Sequence, residues 1–181
     1  MEEQRKAFRD LTLLLILGII LVYMVMAGEF EDFIDPLIIM FSVPFAFVGV
    51  IWAFVLTVTP LNLMSFIGVI MLMGIVVKNA IVLVDYTKQL RASGMELMEA
   101  VVTAGKTRLR PVLMVSLTTI FGMVPLALSR GEGSEVWNAL GITVIGGLLV
   151  SGLVTLILVP VVYSLVHRRR LAFALNQGQT K

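Results

Sequence analysis

LNLMSFIGVIMLMGIVVKNAIVLVDYT, Leu61 to Thr87, is the stretch that decides the fold. A hydrocarbon core of about 30 Å is crossed by roughly 20 apolar helical residues, and this run supplies them. Its interior carries a single charge, Lys78, before Asp85 near its end. The segment reads as a membrane span.

Working outward, the same pattern recurs. Upstream, Leu37–Val58 is a second apolar run, with Pro44 near its start and a Thr59–Pro60 turn after it. Proline is tolerated there because neighbouring helices satisfy the freed carbonyl. Leu11–Ala27 is another run, behind Arg5, Lys6 and Arg9. Val25 and Ala27 before Gly28 resemble a signal cleavage site. The run exceeds the usual signal core of about 7–15 residues, and more spans follow, so it reads as a retained helix. Glu29, Glu31, Asp32 and Asp35 form an acidic break closed by Pro36.

Downstream, residues 88–110 hold Lys88, Arg91, Lys106, Arg108 and Arg110. Ser93 with Glu96 three residues on fits a capping box. A short amphipathic helix is expected from there, with Met95, Met98, Val101 and Val102 as its apolar stripe on the membrane surface. Pro111 suits the first turn of a fourth span, and a fifth follows the polar turn Ser129–Glu135. The expectation is an all-α polytopic membrane protein. Its five transmembrane helices lie at about 10–27, 37–58, 61–87, 111–128 and 136–166. One short cytoplasmic amphipathic helix and a polar tail over 171–181 complete it.

Composition agrees. Of 181 residues, 59% are hydrophobic and 14% charged, and the mean hydropathy is +1.00. A soluble domain carries about 45–50% apolar and about 25% charged residues. The net charge of +2 gives no argument for nucleic acid, and the partner it implies is the lipid bilayer. Cysteine is absent, which excludes disulfides and thiolate metal sites. The single histidine, His167, has no ligand partners nearby in sequence and reads as an interfacial residue at a helix end. No metal or cofactor site is expected. No catalytic triad or phosphate-binding loop is present, so an enzyme reading has nothing to rest on.

Lysine and arginine beside the spans set the orientation. One side holds nine: Lys88, Arg91, Lys106, Arg108, Arg110, Arg168, Arg169, Arg170 and Lys181. The other holds four: Arg5, Lys6, Arg9 and Arg130. The C-terminus is therefore expected in the cytoplasm and the N-terminus outside. An outward start with three basic residues is natural if the sequence continues upstream.

Lys78 is the informative residue. A lysine near a span's centre costs about 2.5–3.5 kcal/mol on insertion scales, so it should face protein or water and have a counter-charge. Asp85, seven residues on, lies roughly 10.5 Å away along the axis, too far for a direct pair. The other acids fall in loops, so the missing carboxylate is expected from another segment or chain. The competing reading, snorkelling to the interface, requires roughly 15 Å of reach to the level of Lys88. Asn79 adds a polar neighbour, and Gly74, one turn below, lets a partner helix approach. Thr143, Gly147, Ser151 and Thr155 recur every four residues and read as a packing seam. Ser116, Thr118 and Thr119 are polar groups of the fourth span that ordinarily bond their own backbone.

GIVVKNAIVLVDY (Gly74–Tyr86), TRLRPVLMVS (Thr107–Ser116) and GMVPLAL (Gly122–Leu128) together resemble the resistance–nodulation–cell division efflux transporters. More closely, they resemble the hydrophobe/amphiphile branch. The resemblance covers about residues 8–170 and corresponds to the last five of twelve spans, the eighth to the twelfth. It implies the C-terminal membrane part of a proton-driven multidrug exporter in the bacterial inner membrane. Lys78 would pair with two adjacent aspartates of the absent N-terminal half, and Arg108 would lie on the proton path. Ser116 neighbours the position of a relay threonine, which is Val115 here, so Ser116, Thr118 or a water is expected in that role. The heavy-metal branch usually lacks the lysine, so Lys78 points away from metal cargo. Implied partners are that N-terminal half, two further copies in a homotrimer, a periplasmic adaptor and an outer-membrane channel. The rival reading is a truncated or scaffold membrane module with no transport activity of its own.

Overall fold

The computed structural model describes residues 2–131 and 133–178, with side chains described over 5–131 and 133–167. All regular structure among them is helical: α1 (Glu2–Phe30), α2 (Ile34–Met40), α3 (Val43–Thr57), α4 (Leu63–Ala92), α5 (Leu97–Ala127) and α6 (Ser134–Gly178). By length and composition these make five candidate membrane spans, with α2 and α3 sharing the second.

Several boundaries differ from expectation: α1 is longer at both ends and α4 runs on to Ala92. The second span begins at Ile34 and is broken at Phe41–Ser42. Pro44 falls in the first turn of α3, where its missing N–H costs nothing. Ser42 closes the break by donating its hydroxyl to Ile39 O at 2.7 Å. The separate amphipathic helix does not exist: its residues form the opening turns of α5, which runs unbroken through Pro111 and Pro125. Ser93 is not a helix N-cap. It ends α4, donating its hydroxyl to Leu90 O at 2.7 Å, and Glu96 caps α5 without a side-chain bond. Finally, α6 continues as helix past the expected tail boundary to Gly178.

The capping box lies instead at the start of α4. Asn62 Oδ1 accepts the Ser65 amide at 2.9 Å, and Ser65 Oγ accepts the Asn62 amide at 3.2 Å. Two orphan amides are thereby satisfied where water is scarce. The preceding turn passes through Val58 with φ +51°, a left-handed conformation that a β-branched residue rarely adopts.

Helix α6 is the axis of the bundle and packs on α3, α4 and α5, while α1 packs on α2 and α4. Lipid is as apolar as leucine, so close contact rather than hydrophobic exclusion must hold these helices together. The seam on α6 supplies it. Thr143 lies against Gly68, Gly147 against Leu72, and Gly49 of α3 against Gly146. One core layer joins Ala46, Val50 and Phe54 of α3 to Leu72 and Val76 of α4 and Val144 and Leu148 of α6. A second joins Met26, Phe30, Ile38, Leu83, Val84, Val101, Val159 and Tyr163. Leu13, Leu17, Ile20 and Met24 face outward from α1, as lipid-facing residues do.

Candidate functional site

Successive residues of a helix point about 100° apart, and at Lys78 and Asn79 this separates two polar environments. Asn79 is buried and turns toward α5, where its Nδ2 donates to Ser116 Oγ at 3.5 Å. Lys78 is exposed and opens into a groove of about 340 Å³ between α1 and α4. The groove is lined by Leu21, Val22, Val25, Met26, Gly74, Val77 and Ile81. A Cβ added at Gly74 would meet nothing within 4 Å among the described residues. Among the described residues no carboxylate pairs with Lys78.

The other polar groups divide in the same way. Ser116 is buried, whereas Thr118 and Val115 are exposed on the outer face of α5. Thr119 bonds its own backbone, Val115 O, at 2.9 Å. Arg108 lies with its Cζ 4.4 Å from the centre of the Tyr86 ring, and its buried Nε has no hydrogen-bond partner among the described residues. On α6, Thr143 donates to Ala139 O at 2.6 Å, but the buried Ser151 and Thr155 hydroxyls have no such partner among the described residues. Asp85 accepts from Gln89 at 2.9 Å and takes no part near Lys78.

A second polar centre was missed in the sequence. Asp35, read as part of an acidic loop, is 1% exposed and lies 3.2 Å from Lys88 Nζ. His167, expected to stand alone at the interface, has its Nε2 3.7 Å from the same carboxylate. These residues come from the start of α2, the end of α4 and the C-terminal half of α6. No local spacing links them.

The sequence profile of the AcrB/AcrD/AcrF family matches residues 1–167. The chain belongs to this family. Two relatives named multidrug resistance protein MdtC, from Escherichia coli O9:H4 (strain HS) and Shigella sonnei (strain Ss046), are each 41% identical over 169 residues. That match covers 93% of this chain and 16% of theirs, so the chain spans about a sixth of the length of the curated relatives it matches. Among solved structures, one crystal form of a heavy metal efflux pump superposes with a TM-score of 0.83 at 35% identity, covering 92% of this chain and 17% of that one. A second crystal form gives 0.80 at 34%, covering 92% and 16%. Relatives named for drugs and for heavy metals thus share this bundle at comparable identity.

Membership in the AcrB/AcrD/AcrF family, together with five helices long and apolar enough to span a bilayer, makes the chain a multi-pass membrane protein. It also sets the Lys78 face in context. The groove is open in a bundle that corresponds to only 16% of the MdtC sequence.

Proposed function

We propose that this bundle is the energy-coupling membrane part of a proton-driven efflux permease, with Lys78 as the fixed cation of its proton-loading site. The observation that carries the reading is an ammonium with no carboxylate partner among the described residues, opening into an apolar groove beside a glycine with open space before it. An intramembrane lysine is costly unless paired. A helix carrying carboxylates, seated along Gly74 and Lys78, would cover the apolar wall and supply the missing charge. The family resemblance assigns that helix to the N-terminal half, with two adjacent aspartates.

The mechanism follows from electrostatics. A cation within about 4–6 Å favours the ionised form of a carboxylate. Adding a proton removes the attraction, and the two helices are free to separate. A proton crossing the membrane field contributes about 2.3 kcal/mol per 100 mV. That energy does work only if the helix arrangement has two discrete states. Asn79 sits one residue round α4 from Lys78, and its hydrogen bond to Ser116 of α5 is buried between the two helices. Ser116, buried against Asn79, and Thr118, exposed on the same outer face as Val115, are the two hydroxyls for the role that Val115 lacks. Arg108 on Tyr86 marks the end of that path.

The charge count places the Lys88–Arg110 end and the C-terminus in the cytoplasm and the N-terminus in the periplasm, within the bacterial inner membrane. Cargo in the multidrug class, a homotrimer, a periplasmic adaptor and an outer-membrane channel belong to the same reading. The test is Lys78→Met in the complete pump reconstituted in vesicles, with drug efflux and proton uptake followed together. Both are expected to vanish while membrane insertion and expression stay near wild type. Normal proton-coupled efflux in that variant rejects the role.

A further inference from the structure

The Asp35 centre lies at the other end of α4 from the Asn62 cap, roughly 15 Å along the helix from Lys78. The proposed relay does not use it. Lys88 is shared: its Nζ lies 3.2 Å from Asp35 Oδ2, donates to Phe30 O at 2.9 Å and sits 5.1 Å from the centre of the Phe30 ring. Asp35 Oδ1 receives no hydrogen bond among the described residues, although a buried carboxylate needs donors on both oxygens. The group facing Oδ1 is His167 Nε2, at 3.7 Å.

The other edge of His167 decides what it can offer. Its ring stacks on Tyr163 with centroids 4.1 Å apart, and its Nδ1 lies 3.2 Å from Tyr163 O. Both ring nitrogens therefore face oxygen. A neutral imidazole has one N–H and one lone pair, so either tautomer points a lone pair at an acceptor. The imidazolium presents an N–H to each. Among the described residues the charged neighbours include Asp32, which accepts the Ile34 amide at 3.1 Å, and Arg91, which faces the Tyr163 hydroxyl. A proton on His167 is a charge this cluster can gain or lose within the physiological range.

The cluster also has something to hold. Helix α2 has only seven residues and is bounded by Glu31 with φ +50° and by the break at Phe41–Ser42. It carries Asp35, while Lys88 comes from α4 and His167 from α6. We propose that Asp35, Lys88 and His167 form a proton-binding latch, closed by the protonated His167 imidazole, that ties α2 to α4 and α6. The latch stands or falls apart from the Lys78 reading. On the orientation given above it senses cytoplasmic protons.

Because the chain has one histidine, ¹⁵N-histidine labelling of the full chain in lipid nanodiscs reports on His167 alone. Both ring nitrogens should be protonated at low pH and lose one proton on titration. In Asp35→Asn the charged form should be lost at lower pH than in wild type; in Lys88→Gln, which removes a competing cation, it should persist to higher pH. Hydrogen exchange of the α2 amides should slow as His167 charges, and His167→Gln should abolish that pH dependence. Should Asp35→Asn fail to fold, Lys88→Gln and the wild-type exchange profile decide. Identical titrations in wild type and Lys88→Gln, or α2 exchange indifferent to the charge on His167, overturn the latch.

Discussion

A single methyl group at Gly49 tests the packing on which the bundle depends. A Cβ built there would lie 2.6 Å from Gly146 O and 2.8 Å from Val150 Cβ. Neither atom can turn away, since a carbonyl oxygen and a Cβ move only with their helix. Reaching the 3.4 Å at which ordinary contact begins requires α3 to shift from α6 by about 0.8 Å at this crossing. Overpacking of this kind costs about 1–3 kcal/mol. Replacing a helical glycine by alanine returns roughly 0.5–1 kcal/mol of backbone entropy. The net expectation for Gly49→Ala is a loss of about 1–2 kcal/mol. The control is Gly152→Ala, whose new methyl would meet only Ser116 Oγ, at 3.9 Å; it should be neutral or stabilising by up to roughly 1 kcal/mol. The assay is SDS-driven unfolding of the purified chain in mild detergent, read from Trp52 of α3 in a Trp137→Phe background. Equal midpoints for the two variants, or a Gly152→Ala midpoint below that of Gly49→Ala, would refute the reasoning.

Arg108→Ala should cut proton-coupled efflux of the complete pump while costing only about 1–2 kcal/mol of stability, the range of a half-buried cation–π contact. Unchanged drug tolerance in cells carrying the variant would count against a place for Arg108 on the proton path. Val58→Asn should stabilise the bundle by about 1 kcal/mol, because asparagine tolerates the left-handed backbone that costs valine roughly that much; a lowered SDS midpoint would show that the valine side chain matters more than its φ.

The spans were legible because a continuous apolar run needs no periodicity to be recognised, and Lys78 was legible because a charge inside such a run has no inexpensive solution. Where the chain departs from expectation, two local signals compete for the same residue. Ser93 followed by Glu96 has the spacing of a capping box, yet Ser93 is already used to close α4 and Gly94, at φ +94°, turns the chain away. The helix then starts without a side-chain cap and reads straight through Pro111, so the proline that suggested a start marks none.

Polar pairing was the hardest to foresee, because it depends on which faces meet. The 3.6-residue repeat tells us that Lys78 and Asn79 diverge by about 100°. It does not say which of them turns toward α5. That is decided by α6, whose seam of Thr143 and Gly147 draws Gly68 and Leu72 of α4 inward. Adding two and three helical turns to Leu72 brings Asn79 and Leu83 to nearly the same face, and both are buried. Lys78 is left on the flank that faces α1. A packing seam on one helix thereby fixes the direction of a charge on another. Asp35, Lys88 and His167 obey the same logic over longer separations: with α4 and α6 running parallel from the Gly68–Thr143 and Leu72–Gly147 contacts, the last turn of α4 comes level with His167 of α6, and Asp35 at the start of α2 is buried against both.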